Sequence, residues 1–321
     1  MTLEILERIK GGLYGLATGD ALGATVEFMS AEEIKKKYGV LKDIVGGGWL
    51  GLCPGEWTDD TEMALAVAEG IIIDPEDPIP HIGENFIRWW KSNPKDIGNT
   101  TRTVFQIWER NNFSHKEWHV AAAIADTVLG GKTAGNGALM RTLPVGIAYS
   151  KLNDVFQKSM DIARMTHHDV RAGLTSAIYS IAVWNILNGG KDRFIAITDA
   201  IKLVLELTNW DYFEEVKEIQ MYPIRKDGKG LKPTGYTVDS FICAAWAFIT
   251  GESFEDTIIK AVNLGGDADT IGAIAGGLAG VYWGYEAIPQ RWIEKFTERQ
   301  KARLDITAKE LARLRSEVGR Q

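Results

Sequence analysis

The chain has 321 residues, 45% hydrophobic and 25% charged, which gives ample material for a buried core. A formal net charge of −7 argues against a general binder of nucleic acid or of an anionic membrane surface. The two cysteines, Cys53 and Cys243, are far apart and show no CxxC spacing, which predicts a reduced, cytoplasmic protein with two small buried residues and neither a disulfide framework nor a zinc site.

The start, MTLEILERIKGGLYGLATGDALG, mixes acids and bases and has no apolar signal block. Apolar residues then recur at helical spacing and predict helices over roughly 3–22, 59–73, 81–92, 101–111, 116–129, 136–150, 170–188, 194–207, 236–250, 254–263, 270–285 and 290–301. The last stretch, TERQKARLDITAKELARLRSEVGRQ, predicts one or two charged helices solvated on one face. Loops are expected at 39–55, 74–80, 130–136 and 221–235. No low-complexity linker and no repeat of fixed period divides the chain. The expectation is a single all-α domain over 1–321, its irregular loops gathered around a site.

The stretch 271–285 is the one that invites a membrane reading, since glycines 272, 276, 280 and 284 repeat a GxxxG spacing. A bilayer span takes roughly 20 apolar residues, and this run is short and flanked by Asp269 and Glu286. No transmembrane segment is expected there. A buried helix whose small residues let a neighbouring backbone come close is the expectation.

Two acidic stretches begin predicted helices. EWTDDTEMALAVAEG places Thr58, Asp59 and Asp60 ahead of an amphipathic run, and GGDADTIGAIAGG places Asp267, Asp269 and Thr270 ahead of a nearly apolar one. Either group by itself suits helix capping and the macrodipole. Together they offer four carboxylates and two hydroxyls, a hard-oxygen set suited to Mg²⁺ or Mn²⁺ and not to zinc. Acids gathered without a cation would repel one another at low dielectric. Convergence of the two segments on two cations about 4 Å apart is the economical alternative to capping. His115 and His119 in HKEWH have i,i+4 spacing, but Lys116 stands where a metalloprotease needs Glu, so an ordinary helix face is expected.

Six separated stretches, GDALGATVEF (19–28), WTDDTEMAL (57–65), GNGALMR (135–141), MTHHD (165–169), GYTVDS (235–240) and GGDADTIGAIAGGLAG (265–280), together resemble the motif series of the ADP-ribosylglycohydrolases, in that family's order. GDALGATVEFM and DIVGGGWL are most similar to the dinitrogenase reductase-activating branch, whose members remove ADP-ribose from an arginine of the nitrogenase iron protein. Val170 follows THHD where many members have proline.

The resemblance implies an all-α fold with a binuclear Mg²⁺ or Mn²⁺ centre in a cleft, held by Thr58, Asp59, Asp60, Asp267, Asp269 and Thr270. It further implies Glu27 near the metals and Asp96 beside the scissile bond, one of them acting as general acid or base. Gly98, Asn99, Thr100 and Thr101 match a phosphate-contacting helix start; Gly135, Asn136 and Gly137 match a wall around the ribose; His167 and Tyr236 match positions that contact ADP-ribose. The implied activity is removal of ADP-ribose from arginine on a target protein, with the nitrogenase iron protein and a PII signalling protein as partners. Alternatives are the same chemistry on a serine, nucleic-acid-base or O-acetyl linkage, a non-catalytic ADP-ribose binder, or a lens-crystallin-like packing protein.

Overall fold

A computed structural model of the chain describes residues 3–208 and 228–318. The part of the expected 221–235 loop that precedes Gly228 lies outside the described residues. In chain order the helices are α1 Leu3–Gly23, α2 Ala31–Tyr38, α3 Asp59–Ile73, α4 Ile79–Trp90, α5 Asn99–Arg110, α6 Trp118–Val128, α7 Leu143–Ala148, α8 Leu152–Arg164, α9 Val170–Leu187, α10 Arg193–Leu207, α11 Thr237–Thr250, α12 Phe254–Val262, α13 Ala268–Trp283, α14 Gln290–Ile293 and α15 Glu298–Val318. Extended pairing among the described residues is limited to isolated bridges, Ser30–Gly265, Gly47–Leu52 and Gly135–Tyr236. The protein is all-α, as expected, and its main hydrophobic core draws on residues from Ile9 to Leu314.

The axis of the molecule is the antiparallel pair α1 and α13, the most extensive helix–helix contact. Glycines 11, 15 and 19 of α1 face glycines 280, 276 and 272 of α13, each set at four-residue spacing. A Cβ added to Gly19 would stand 2.0 Å from the Gly272 carbonyl oxygen, and one on Gly276 2.0 Å from that of Gly15. Only hydrogen fits between the backbones, so this small-residue ladder serves a close approach within a folded core. At its far end Gly23 meets Ala268, where an added Cβ would be 2.3 Å from the Ala268 carbonyl oxygen. The end of α1 is thereby fixed against the start of α13. Among the described residues one helix, α9, is long and apolar enough to cross a membrane, and most of it is buried inside the protein.

Several elements differ from the sequence expectation for identifiable reasons. α2 was not expected; Ser30 starts it with a capping box, its hydroxyl oxygen accepting from the Glu33 amide while Glu33 accepts from the Ser30 amide. The expected helix 136–150 is broken into a 3₁₀ turn, Leu139–Arg141, and α7, which carries Pro144 in its first turn. α8 was also unexpected; its apolar positions Val155, Phe156, Ile162 and Ala163 face inward from an otherwise polar stretch. The expected 290–301 helix ends at Ile293 because Thr297 and Gln300 cap a new start for α15. Cys243 is buried as expected, but Cys53 is exposed on the glycine-rich loop. His115 lies in a turn before α6, not on a helix face, and its ring packs 4.8 Å from that of Trp108.

Candidate functional site

The α1–α13 ladder delivers a buried carboxylate to the start of α3. Asp20, fully buried on the last turn of α1, accepts hydrogen bonds from the Thr58 amide at 3.0 Å, the Thr58 hydroxyl at 2.9 Å and the Thr61 amide at 3.1 Å, and from the Thr61 hydroxyl as well. Thr58 is the N-cap residue of α3, yet its side chain makes no capping bond. Its hydroxyl instead lies 3.1 Å from Asp60 Oδ2. With the N-terminus of α3 pinned from behind in this way, Asp59 and Asp60 in the first turn project forward. Sequence reasoning missed Asp20, although an acid inside the apolar run LATGDALG was the available signal.

α13 starts in the same manner. Asp267 is its N-cap residue and likewise makes no side-chain capping bond; its Oδ2 accepts from Asn136 Nδ2 at 2.7 Å. Thr270 donates from its hydroxyl to Asp60 Oδ2 at 3.3 Å, so the two helix starts meet across 210 positions of chain. The turn after α1 is stitched to the loop before α13 by reciprocal amide–carbonyl bonds, Phe28 to Gly266 at 2.7 Å and Gly266 to Met29 at 2.8 Å. Phe28 adopts φ 63°, a left-handed conformation costly for an aromatic residue, which leaves Glu27 buried and Phe28 exposed. Oxygen atoms of Glu27, Asp267 and Asp269 all lie within 4.8 Å of one another. Trp49 Nε1 donates to Glu27 Oε2 at 2.6 Å.

These acids floor a cleft of about 370 Å³. Along one side runs the start of α5: Asp96 and Gly98 precede it, Asn99, Thr100 and Thr101 form its first turn, and the Gly98 amide donates to Asp59 Oδ2 at 3.3 Å. A Cβ added to Gly98 would meet no protein atom within 4 Å, so the space beside it is open to a ligand. Gly135, Asn136, Gly137 and the buried His167 line the cleft as well, and a Cβ added to Gly137 would lie 3.7 Å from Thr101 Oγ1. Of the residues expected from the sequence, all but Thr58 and Tyr236 line the cleft. Thr58 adjoins the floor through its hydroxyl, 3.1 Å from Asp60 Oδ2. Tyr236 stands behind Gly135, which it bridges, and its hydroxyl accepts from Arg171 Nη1 at 3.4 Å. Val170 is the first residue of α9, the position proline favours; with Asp169 accepting from the Arg171 amide as N-cap, the helix starts there without it.

The electrostatics of the floor are adverse without a counter-charge. Burial, then repulsion from neighbouring acids, pushes the carboxyl groups of Asp60 and Asp269 far above the usual carboxylate range. Glu27 and Asp59 are raised in the same direction by burial first, with Asp96 adding repulsion at both. Asp60 Oδ1 is buried and has no hydrogen-bond partner among the described residues. An orphaned carboxylate oxygen, two cap residues that do not cap, and an all-oxygen donor set fit hard divalent cations and do not fit a purely structural capping role. Thr58, Asp59, Asp60, Asp267, Asp269 and Thr270 could hold such ions.

The helical scaffold is shared with a solved ADP-ribosylglycohydrolase-related protein complex at TM-score 0.76 and 30% identity, over 98% of this chain and 100% of that one. The fold is thus that of the ADP-ribosylglycohydrolase-related class of proteins. A model of the ADP-ribosylglycohydrolase family matches residues 1–321, and the chain belongs to that family. It is similar to the ADP-ribosyl-[dinitrogen reductase] glycohydrolase of Rhodospirillum rubrum, 34% identical over 91% of this chain and 91% of that protein. It is also similar to the ADP-ribosylarginine hydrolase Tri1 of Serratia proteamaculans, 33% identical over 93% of this chain and 77% of that protein. The ADP-ribosylhydrolase ARH3 of Bos taurus is 24% identical over 96% of this chain and 93% of that protein.

Proposed function

We propose that this protein hydrolyses the N-glycosidic bond between ADP-ribose and an arginine side chain of a target protein, with two Mg²⁺ or Mn²⁺ ions held by Thr58, Asp59, Asp60, Asp267, Asp269 and Thr270. The observation that carries the reading is the meeting of the α3 and α13 N-termini at the cleft floor, joined through Thr270 and Asp60. When bound, such cations supply Lewis-acid polarisation of oxygen ligands and fix a ribose by its hydroxyls. Everything else falls to the chain's own groups. The first-turn amides and hydroxyls of α5, beside the open space at Gly98, suit a diphosphate. Gly135, Asn136 and Gly137 border the ribose, and His167 faces it from the same wall.

Hydrolysis adds hydroxide to the anomeric carbon and returns a proton to the departing guanidine nitrogen. Glu27 and Asp96 are the two cleft carboxyls outside the proposed cation set, and as carboxyl groups lining the cleft they are the candidates for taking and giving that proton. A carboxylate is also the natural partner of a guanidinium, which favours arginine over a neutral acceptor at Asp96. The name of the Serratia relative points to the arginine linkage, and that of the Rhodospirillum relative makes dinitrogenase reductase, the nitrogenase iron protein, a candidate target. The relatives name no PII signalling protein, and the proposal does not include one. The name of the ARH3 relative specifies no linkage, and a serine linkage is the alternative to be tested. Incubation with ADP-ribosyl-arginine and ADP-ribosyl-serine peptides, with Mn²⁺ supplied or chelated, separates the two. Free ADP-ribose is expected from the arginine peptide only when Mn²⁺ is present; release from the serine peptide alone would overturn the arginine assignment.

A further inference from the structure

Behind the cleft wall a guanidinium is buried with no acid against it. Arg141, on the 3₁₀ turn, is fully buried; among the described residues no carboxylate pairs with it, and its Nε and Nη1 have no hydrogen-bond partner. Its Nη2 donates to the Ile162 carbonyl at 2.9 Å and to Thr166 Oγ1 at 2.8 Å, and the guanidinium carbon lies 4.9 Å from the Phe86 ring centroid. Burial pushes it down only to about 9, so it stays charged at neutral pH. A buried charge this poorly compensated is costly, and a structural tie between two helices needs no charge.

Thr166 Oγ1 also lies 2.8 Å from His167 Nδ1. A guanidinium only donates, so the Thr166 oxygen already receives one hydrogen. Were Nδ1 protonated, Thr166 would receive a second, and its own buried hydrogen would have no acceptor among the described residues. The satisfied arrangement has Thr166 donating to Nδ1 and the imidazole carrying its single hydrogen on Nε2. Burial first and the Arg141 charge second push His167 down to about 3, so the ring stays neutral. Nε2 points to the glycine wall: a Cβ on either Gly135 or Gly137 would stand 3.3 Å from it.

We propose that Arg141 is a positioning residue which, through Thr166, fixes His167 as the Nε2–H tautomer, so that the ring offers one neutral hydrogen-bond donor to an oxygen of ADP-ribose in the cleft. The proposal rests on reading the cleft as an ADP-ribose site. It is tested on the full chain by two measurements: ¹⁵N chemical shifts of labelled histidine, which report the tautomer with no ligand present, and calorimetric titration with ADP-ribose. The wild type should show the Nε2–H tautomer. Thr166→Val should lose that preference and weaken ADP-ribose binding by about tenfold, the order of one hydrogen bond, and Thr166→Ser should restore both. In a His167→Ala background, Thr166→Val should cost nothing further. An Nδ1–H wild type, or an equal cost of Thr166→Val in both backgrounds, would overturn the proposal. A folded Arg141→Met that keeps a pure Nε2–H ring would remove Arg141 from it, and should that variant not fold, the Thr166 pair decides. A wild type that fails to bind ADP-ribose sinks the reading of the cleft, while the tautomer measurement still stands.

Discussion

Asp20 shows how a residue that need not touch substrate can govern the site. Its carboxylate gathers the amides and hydroxyls of Thr58 and Thr61, and so sets the direction in which Asp59 and Asp60 leave the start of α3. Asp20→Asn exchanges one accepting oxygen for a donor among groups that only donate here. The expected cost is roughly 1–3 kcal/mol of stability in urea unfolding, with Mn²⁺ affinity falling about 10–100-fold, as when an outer-shell partner of a ligand is lost. An unchanged Mn²⁺ titration would show that the start of α3 holds its geometry without Asp20. The pairing of the two acidic helix starts was legible because six oxygen donors in two short stretches suggest one shared use. Asp20 was not, because one acid in an apolar helix carries no mark of the threonines it will meet 38 and 41 positions later.

Among the elements, the glycine ladder between α1 and α13 carries the site. The spacing on 272–284 was visible in the sequence and rightly read as a close approach. Its partner, the equally spaced glycines at 11, 15 and 19, was not singled out, since letter order does not say which two helices meet. Gly19→Ala would press a methyl to within 2.0 Å of the Gly272 carbonyl oxygen. It should destabilise the fold by roughly 3 kcal/mol and, by parting Asp20 from α13, lower Mn²⁺ affinity. Gly98→Ala adds the same methyl where no protein atom lies within 4 Å, so its stability should stay within about 1 kcal/mol of wild type while ADP-ribose binding weakens. Equal destabilisation by both in parallel urea titrations would contradict the ladder account. The elements that sequence reading missed, α2 and α8, are polar overall, although α8 sets Val155, Phe156, Ile162 and Ala163 on one face and the Ser30–Glu33 capping box marks the start of α2; both signals were available.

For the whole molecule, the buried acids tie stability to cations and to pH. Asp59, Asp60, Asp267 and Asp269 all have folded-state values raised above the unfolded range, chiefly by burial. Below about pH 3 both states are protonated and nothing is lost. As pH rises from there, the unfolded chain ionises first, so the cation-free fold is progressively destabilised until pH passes the raised folded-state values, above which both states are ionised and the loss levels off. Divalent ions, which bind the deprotonated form, should offset that loss. The rise in melting temperature on adding Mn²⁺ should therefore be larger at pH 8 than at pH 5; an equal or reversed effect would mean that these acids are not the ligands.

The central claim is that two helix starts, separated by some 200 residues of chain and joined at Asp60 and Thr270, clasp divalent ions. Anomalous diffraction from crystals grown with Mn²⁺, recorded on both sides of the manganese edge, tests it most directly. The account predicts two anomalous peaks within coordination distance of Asp60 and Asp269 at the floor of the cleft. A map without density there, its carboxylates hydrogen-bonded to one another as protonated pairs, would contradict it.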